Sequence, residues 1–196
     1  MTAASTRLAS DQALEPDEVF GFWIFLMTDA VIFALVLVTY AAMTGGTAGG
    51  PGPTDLFVLG PVLWETLALL TSSLAFGLAT EALGRSRRAV LGWLAAAAGL
   101  AVVFLWLEGS ELARLAAEGA TPDRSGFLSA LWTLLALHGL HVAAGLAWLG
   151  LLAFQLLAWG ETAIVRSRLI RLGLFWHFLD VVWIAIFSVV YLGALA

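Results

Sequence analysis

The sequence predicts an all-helical membrane protein, a bundle of five transmembrane helices. Of its 196 residues, 61% are hydrophobic and 12% are charged, and the mean hydropathy is +0.96. Soluble domains usually carry about 25% charged residues, and a small globule cannot bury so large an apolar excess. Five apolar runs each supply the roughly 18–25 residues that a helix needs to cross a membrane. The composition therefore excludes a soluble enzyme and a nucleic-acid partner.

The five predicted helices follow one another between short polar segments. An acidic segment, residues 1–19, comes first and lacks the basic leader of a cleavable signal peptide. Glycine and proline at 44–53 and 118–125 predict turns, and arginine-rich segments separate the other helices. The fourth run is longer than a bilayer requires, so we expect it to project beyond the membrane. The predicted spans are 20–43, 58–82, 89–107, 126–159 and 172–194.

The arginines predict the orientation. All nine basic residues are arginine, and two, Arg114 and Arg124, lie among acidic residues in the third loop. Cytoplasmic loops carry the excess of basic residues, so the N-terminal segment is predicted to be cytoplasmic and the C-terminus to lie outside. The seven arginines on the predicted cytoplasmic side are Arg7, Arg85, Arg87, Arg88, Arg166, Arg168 and Arg171.

Polar side chains inside the helices are the candidate functional residues, because each costs about 2.5–3.5 kcal/mol at mid-bilayer and tends to face protein or water. Counting a rise of about 1.5 Å per residue along each predicted helix places these groups in two tiers. We expect Asp29 of the inner tier to pair with His177 or Asp180, and the outer groups to cluster between the second and fourth helices. The inner tier is Asp29, His177 and Asp180, and the outer tier is Glu65, His138 and His141.

These groups form a poor set of metal ligands. The absence of cysteine excludes thiolate sites, and three histidines cannot supply a haem–copper centre with its second haem. His138 and His141 share a helical face, whereas His177 is predicted to lie more than ~10 Å deeper. We therefore favour helix-packing roles over ligand roles and predict no catalytic, cofactor-binding or metal-binding residue on this chain.

The intramembrane carboxylates could have either a structural or a functional role. For Asp29 and Asp180, structural pairing is favoured over a place on a proton path. For Glu65, a structural role and contact with a lipid or a proton are equally open.

Particular strings resemble subunit III of the haem–copper oxidases, most closely the five-helix subunit III of bacterial cytochrome bo-type ubiquinol oxidases. TAGGP at 47–51 and PDRSGFLSA at 122–130 favour the quinol-oxidase branch. EGSE, with Glu108 and Glu111, resembles an acidic pair at the outer edge of the family's membrane domain. The other strings are FGFWIFLMTDAVIF at 20–33, WETLALLTSS at 64–73, HGLHVAAGLAW at 138–148 and LFWHFLDVVWIAIFSVVYLGA at 174–194.

The resemblance implies an accessory role in a bacterial inner (plasma) membrane. In that family subunit I carries the haems and copper, reduces oxygen with electrons from ubiquinol and pumps protons. Subunit III carries no redox centre; it packs against subunit I, binds phospholipid and supports assembly and stability. The implied partners are oxidase subunits I, II and IV and membrane phospholipids.

Two alternatives stay open: subunit III of a cytochrome c oxidase and, more remotely, an independent small membrane cytochrome or transporter. A haem spectrum of the isolated chain separates the last from the others.

Overall fold

The computed structural model describes residues 16–57 and 59–194, and within them the chain forms five long helices and no strand. All five are long and apolar enough to cross a membrane, as predicted. The fifth continues without a break into a π-helix, Phe187–Leu192, and a single helical turn, Pro53–Leu56, precedes the second. The long helices are α1 (Pro16–Met43), α2 (Leu59–Glu81), α3 (Arg87–Ala117), α4 (Gly126–Trp159) and α5 (Ala163–Ile186).

Three helices start at side-chain caps. A hydroxyl oxygen at the cap accepts a hydrogen bond from a backbone N–H of the first turn, which would otherwise have no partner. Ser86 accepts from Ala89 before α3, and Ser125 accepts from Leu128 before α4. Thr162 caps α5 in the same way. At the other end of α4, Gly160 adopts φ +77°, a conformation that favours glycine and turns the chain back into α5.

Helix α1 begins four residues before its predicted span, and two other helices extend across charged residues. The expected third span, 89–107, continues through Glu108 and Glu111 to Ala117, and the expected fifth span, 172–194, begins at Ala163. Charged residues suggested loops in both places. In the structure these charges stay on the helices because they find partners there: Arg114 binds Glu111 and Glu118, and Arg168 donates to Gln155.

The helices pack as two hairpins with a fifth helix against their side. The α2–α3 pair makes the most extensive contact, and the α4–α5 pair lies against it so that α2 contacts α5 and α3 contacts α4. Helix α1 makes extensive contacts only with α4 and α5. In its most apolar stretch of 18 residues, 17% of the residues are buried, compared with 50% in that of α2. The core therefore lies among α2–α5, with α1 at the periphery.

One end of the bundle carries most of the arginines. The α2–α3 loop meets the α4–α5 loop there, where the Gly84 backbone N–H donates to Glu161 Oε1 at 2.6 Å. The Arg87 guanidinium donates to the carbonyl of Leu157 close by. At the opposite end the α1–α2 and α3–α4 connections meet, and Arg114 Nη2 donates to the Leu56 carbonyl at 2.8 Å. The basic loops thus share one end of the bundle.

Candidate functional site

The polar side chains inside the bundle form three groups. The first, the edge pair, is Asp29 of α1 with His141 of α4. The second, the acidic cluster, contains carboxyl groups from α2 and α3 beside a histidine of α4. The third, the α2–α5 seam, is a row of hydroxyl, indole and imidazole groups. The acidic cluster is Glu65, Glu108 and Glu111 with His138, and the seam includes Thr66, Ser72, Ser73, Trp176, His177, Asp180 and Trp183.

In the edge pair, His141 Nε2 lies 3.8 Å from Asp29 Oδ2. The other ring nitrogen, Nδ1, donates to the Leu137 carbonyl at 2.8 Å, so neutral His141 presents a lone pair to the carboxyl oxygen. Oδ2 of Asp29 accepts no hydrogen bond from any described residue. At 3.8 Å these two atoms are in contact range but make no direct hydrogen bond.

This pairing differs from the predicted inner tier. Asp29 was expected to meet His177 or Asp180, but it lies beside His141, whereas His177 and Asp180 lie against α2. The predicted partner of Asp29 is therefore wrong. Its predicted depth, counted from residue 20, stays a prediction; the apolar span of α1 begins at Val19.

The acidic cluster brings three buried carboxyl groups together. Glu65 is 1% exposed, and it interacts electrostatically with Glu108 and Glu111 and with the hydroxyl of Tyr191. Only Glu111 has a cation: Arg114 Nε and Nη2 bind its two oxygens at 2.9 and 2.5 Å. One buried oxygen on each of Glu65 and Glu108 accepts no hydrogen bond within the described part of the chain. Burial of three carboxyl groups with one arginine is costly, so the cluster is a strained part of the core.

His138 faces the cluster from α4. Its Nδ1 lies 3.8 Å from Glu108 Oε1, and its Nε2 donates to the Leu179 carbonyl at 3.3 Å. The ring is fully buried and packs against the rings of Phe104 and Trp183, with centroids 5.5 and 5.1 Å away. Beside it, the absent side chain of Gly139 makes room for Glu108, whose Oε2 lies 2.5 Å from the point that a Cβ would occupy. His138 and Gly139 together hold the Glu108 carboxyl in place.

The predicted outer tier is wrong in its partners. Glu65, His138 and His141 were expected to cluster between α2 and α4, but His141 joins Asp29 instead. The carboxyl neighbours of Glu65 come from α3. The predicted third helix ended at 107, before Glu108 and Glu111; in the structure α3 carries both, and they are 4% and 9% exposed. Their predicted place at the outer edge of the membrane stays a prediction.

The α2–α5 seam joins these helices by hydrogen bonds. The indole N–H of Trp176 donates to Ser72 Oγ, and that of Trp183 donates to Thr66 Oγ1, each at 3.1 Å. Ser72 donates in turn to the Ala97 carbonyl of α3 at 2.9 Å. Sequence reasoning missed these hydroxyls as partners. The signal in the sequence was spacing: the two indoles are seven residues apart on α5, and the two hydroxyls that they bind are six residues apart on α2.

His177 and Asp180 complete the seam on its outer side. His177 Nδ1 lies 2.7 Å from Ser73 Oγ, and the Asp180 carboxyl is within reach of the same hydroxyl. Unlike Ser73, His177 is exposed on the surface of the subunit.

Chemically, the three groups can tie helices together and hold protons. Across residues 16–57 and 59–194, no three histidine, aspartate or glutamate side chains are arranged to hold a metal ion. Each histidine is instead held by a backbone carbonyl or a serine of a neighbouring or the same helix.

Comparison with known proteins gives consistent matches along the chain. The family described as "Cytochrome c oxidase subunit III" matches residues 9–194. The chain is 48% identical to "Cytochrome bo(3) ubiquinol oxidase subunit 3" of Pseudomonas putida, over 89% of this chain and 84% of that protein. It is 49% identical to the protein of the same name in Pseudomonas aeruginosa, over 90% and 86%. "Cytochrome c oxidase subunit 3" of Alkalihalophilus pseudofirmus is 38% identical, over 88% and 84%.

Proposed function

Because the chain belongs to the cytochrome c oxidase subunit III family, we propose that it is the non-catalytic third subunit of a quinol-oxidising haem–copper oxidase in a bacterial inner membrane. The complex is an oxidoreductase, and this chain is an accessory part of it. In the proposal, subunit I carries the haems and copper and passes electrons from ubiquinol to oxygen while protons are pumped.

The choice of ubiquinol as electron donor rests on the identities. The two Pseudomonas relatives named for ubiquinol oxidation are 48–49% identical, whereas the relative named for cytochrome c oxidation is 38% identical. A cytochrome c oxidase is the competing assignment. The observation in its favour is the 38% identity to the subunit of Alkalihalophilus pseudofirmus.

The role of the chain itself is to stabilise its partners. Its buried polar groups are held in helix-to-helix contacts, and its outer surface is apolar: large side chains such as Phe20, Leu35 and Trp106 are more than 65% exposed. In the membrane such a surface meets phospholipid tails and neighbouring subunits, which we propose to be subunits I, II and IV. Asp29, Glu65, His138, His141, His177 and Asp180, together with Glu108 and Glu111, act in packing and in holding protons.

The orientation in this proposal follows the arginines. Arg85, Arg87, Arg166 and Arg168 share one end of the bundle, and basic ends face the cytoplasm. Helix α1 would then begin in the cytoplasm and the chain would end outside. A reporter enzyme that works only outside the cytoplasm should be active when it is fused after Ala196. Activity of a reporter that works only in the cytoplasm would contradict this orientation.

The deciding experiment is purification of the complex through a tag on this chain, followed by oxygen-consumption assays. We expect co-purified haem, copper and larger subunits, and oxygen consumption with ubiquinol but not with reduced cytochrome c. The reverse preference would assign the chain to a cytochrome c oxidase. Purification of the chain alone, with its own haem absorption bands, would instead favour an independent membrane cytochrome and would contradict the accessory role.

A further inference from the structure

One face of α5 is exposed along its length yet is not purely apolar. His177, Val181, Ile184 and Ser188 recur at intervals of four, three and four residues, so they lie on one side of the helix. On one flank of this stripe, His177 bonds to Ser73 of α2. On the other, the adjacent Phe178 packs against Phe33 of α1, with ring centroids 6.4 Å apart. The stripe therefore lies between α1 and α2.

His177 lies within the predicted membrane-spanning part of this stripe. It is five residues beyond residue 172, where the predicted apolar span begins after Arg171, so it lies about 8 Å inside that span and not at its end. Polar side chains at such depth face protein or water rather than lipid tails. An exposed imidazole there indicates that lipid alone does not cover the face.

Its hydrogen bonds leave one ring nitrogen available. Ser73 Oγ lies between His177 Nδ1 and the Asp180 carboxyl. If the serine hydroxyl donates to the carboxylate, it accepts from Nδ1–H, and Nε2 then carries a lone pair. Nε2 has no hydrogen bond to any residue that the structure describes.

Other exposed polar groups on these helices are already satisfied. The hydroxyls of Thr28, Thr39, Thr133 and Ser188 each donate to a carbonyl four residues earlier in the same helix. Such groups can face lipid at little cost, because their donor proton is bonded within the helix. His177 differs, because its Nε2 can accept a hydrogen bond only from a neighbouring molecule.

We propose that the α5 stripe centred on His177 is a docking surface for a transmembrane helix of another oxidase subunit, which donates a hydrogen bond to His177 Nε2. The proposal rests on the proposed function. The partner helix carries a donor such as a serine, threonine, tyrosine or tryptophan side chain at the depth of His177. Close approach is possible beside His177, because the half-buried Gly77 on the adjoining face of α2 has no side chain.

A photo-cross-linking residue, benzoyl-phenylalanine, at Val181 tests what covers the stripe. Val181 is 64% exposed and lies one turn from His177; Val102 of α3, 52% exposed, is the matched control. After irradiation in membranes and purification of the assembled oxidase, we expect Val181 to cross-link to a second polypeptide more efficiently than Val102 does. Lipid adducts alone at Val181, or cross-linking no better than at Val102, would overturn the docking surface.

Substitutions then test the hydrogen bond. In the complex purified through a tag on this chain, His177→Leu should lower the retained amount of the other subunits about three- to tenfold, as expected for loss of one intramembrane hydrogen bond. Ser73→Ala breaks only the hydrogen bond inside this chain, so this variant should retain more of the other subunits than His177→Leu does. His177→Asn keeps an acceptor at this position and should also retain more of them than His177→Leu. Equal effects of His177→Leu and Ser73→Ala would mean that His177 acts only within the subunit, and would contradict the proposal.

These outcomes are distinct from failure of the proposed function. If the unsubstituted chain purifies with no oxidase subunit, both proposals fail. If it purifies with the oxidase and Val181 reacts only with lipid, the docking surface alone is wrong.

Discussion

The edge pair and the Glu108–His138 pair are alike in chemistry and different in position. In each, a histidine of α4 donates through one ring nitrogen to a backbone carbonyl and presents the other to a carboxyl oxygen 3.8 Å away. The side chains of His138 and Glu108 are 0% and 5% exposed, whereas those of His141 and Asp29 are 22% and 11% exposed. Because the two pairs share their chemistry, we expect burial to set how much each contributes to stability.

The pairs also join different parts of the molecule. Glu108–His138 links α3 to α4 inside the four-helix core and borders the other acidic groups. Asp29–His141 ties the peripheral α1 to α4. Loss of the first should therefore disturb the whole subunit, and loss of the second should loosen one helix.

The largest effect is expected from His138→Leu. The change leaves Glu108 buried beside Glu65 without its histidine partner, and breaking a buried pair on one side costs about 3–5 kcal/mol. We expect little assembled complex and a strongly lowered thermal midpoint of what remains. The measurement is the yield and thermal stability of the purified oxidase.

His141→Leu is the matched control, because it makes the same substitution one turn further along α4. An effect of His141→Leu equal to that of His138→Leu would show that burial does not distinguish the pairs.

Gly139→Ala tests the acidic cluster without removing a polar group. A methyl group at residue 139 would lie 2.5 Å from Glu108 Oε2, so the carboxyl must move away from His138. Overpacking of this kind costs about 1–3 kcal/mol. The thermal midpoint of the complex should fall accordingly.

The control for this change is Gly150→Ala, on the same helix. Nothing lies within 4 Å of a Cβ at Gly150, and alanine is the better helix former, so stability should be unchanged or slightly higher. If the two alanine variants behave alike, Glu108 is not held in the position that the structure gives it.

The fold and the set of intramembrane polar residues could be predicted from the sequence, but the pairing of those residues could not. Hydropathy alone predicts five spanning helices, because each apolar run must cross lipid. It cannot show that Arg114 neutralises Glu111 and so allows α3 to continue to Ala117. Depth counting also paired Asp29 with the wrong helix face, because His141 of α4 is its neighbour. Pairing also depends on which helices are neighbours, and periodicity does not contain that information.

The smallest effect, and the sharpest test of the edge pair, comes from comparing Asp29→Asn with Asp29→Ala. Asparagine keeps a polar group of the same shape, and its amide N–H can donate to His141 Nε2. Asp29→Asn should then assemble nearly normally, while Asp29→Ala should cost about 0.6–1.7 kcal/mol, the range measured for single hydrogen bonds between membrane helices. The readouts are the yield of complex and the oxygen-consumption rate per assembled complex. Normal yield of Asp29→Asn with collapsed turnover would mean that Asp29 conducts protons rather than anchoring α1, because asparagine keeps the contact and cannot titrate.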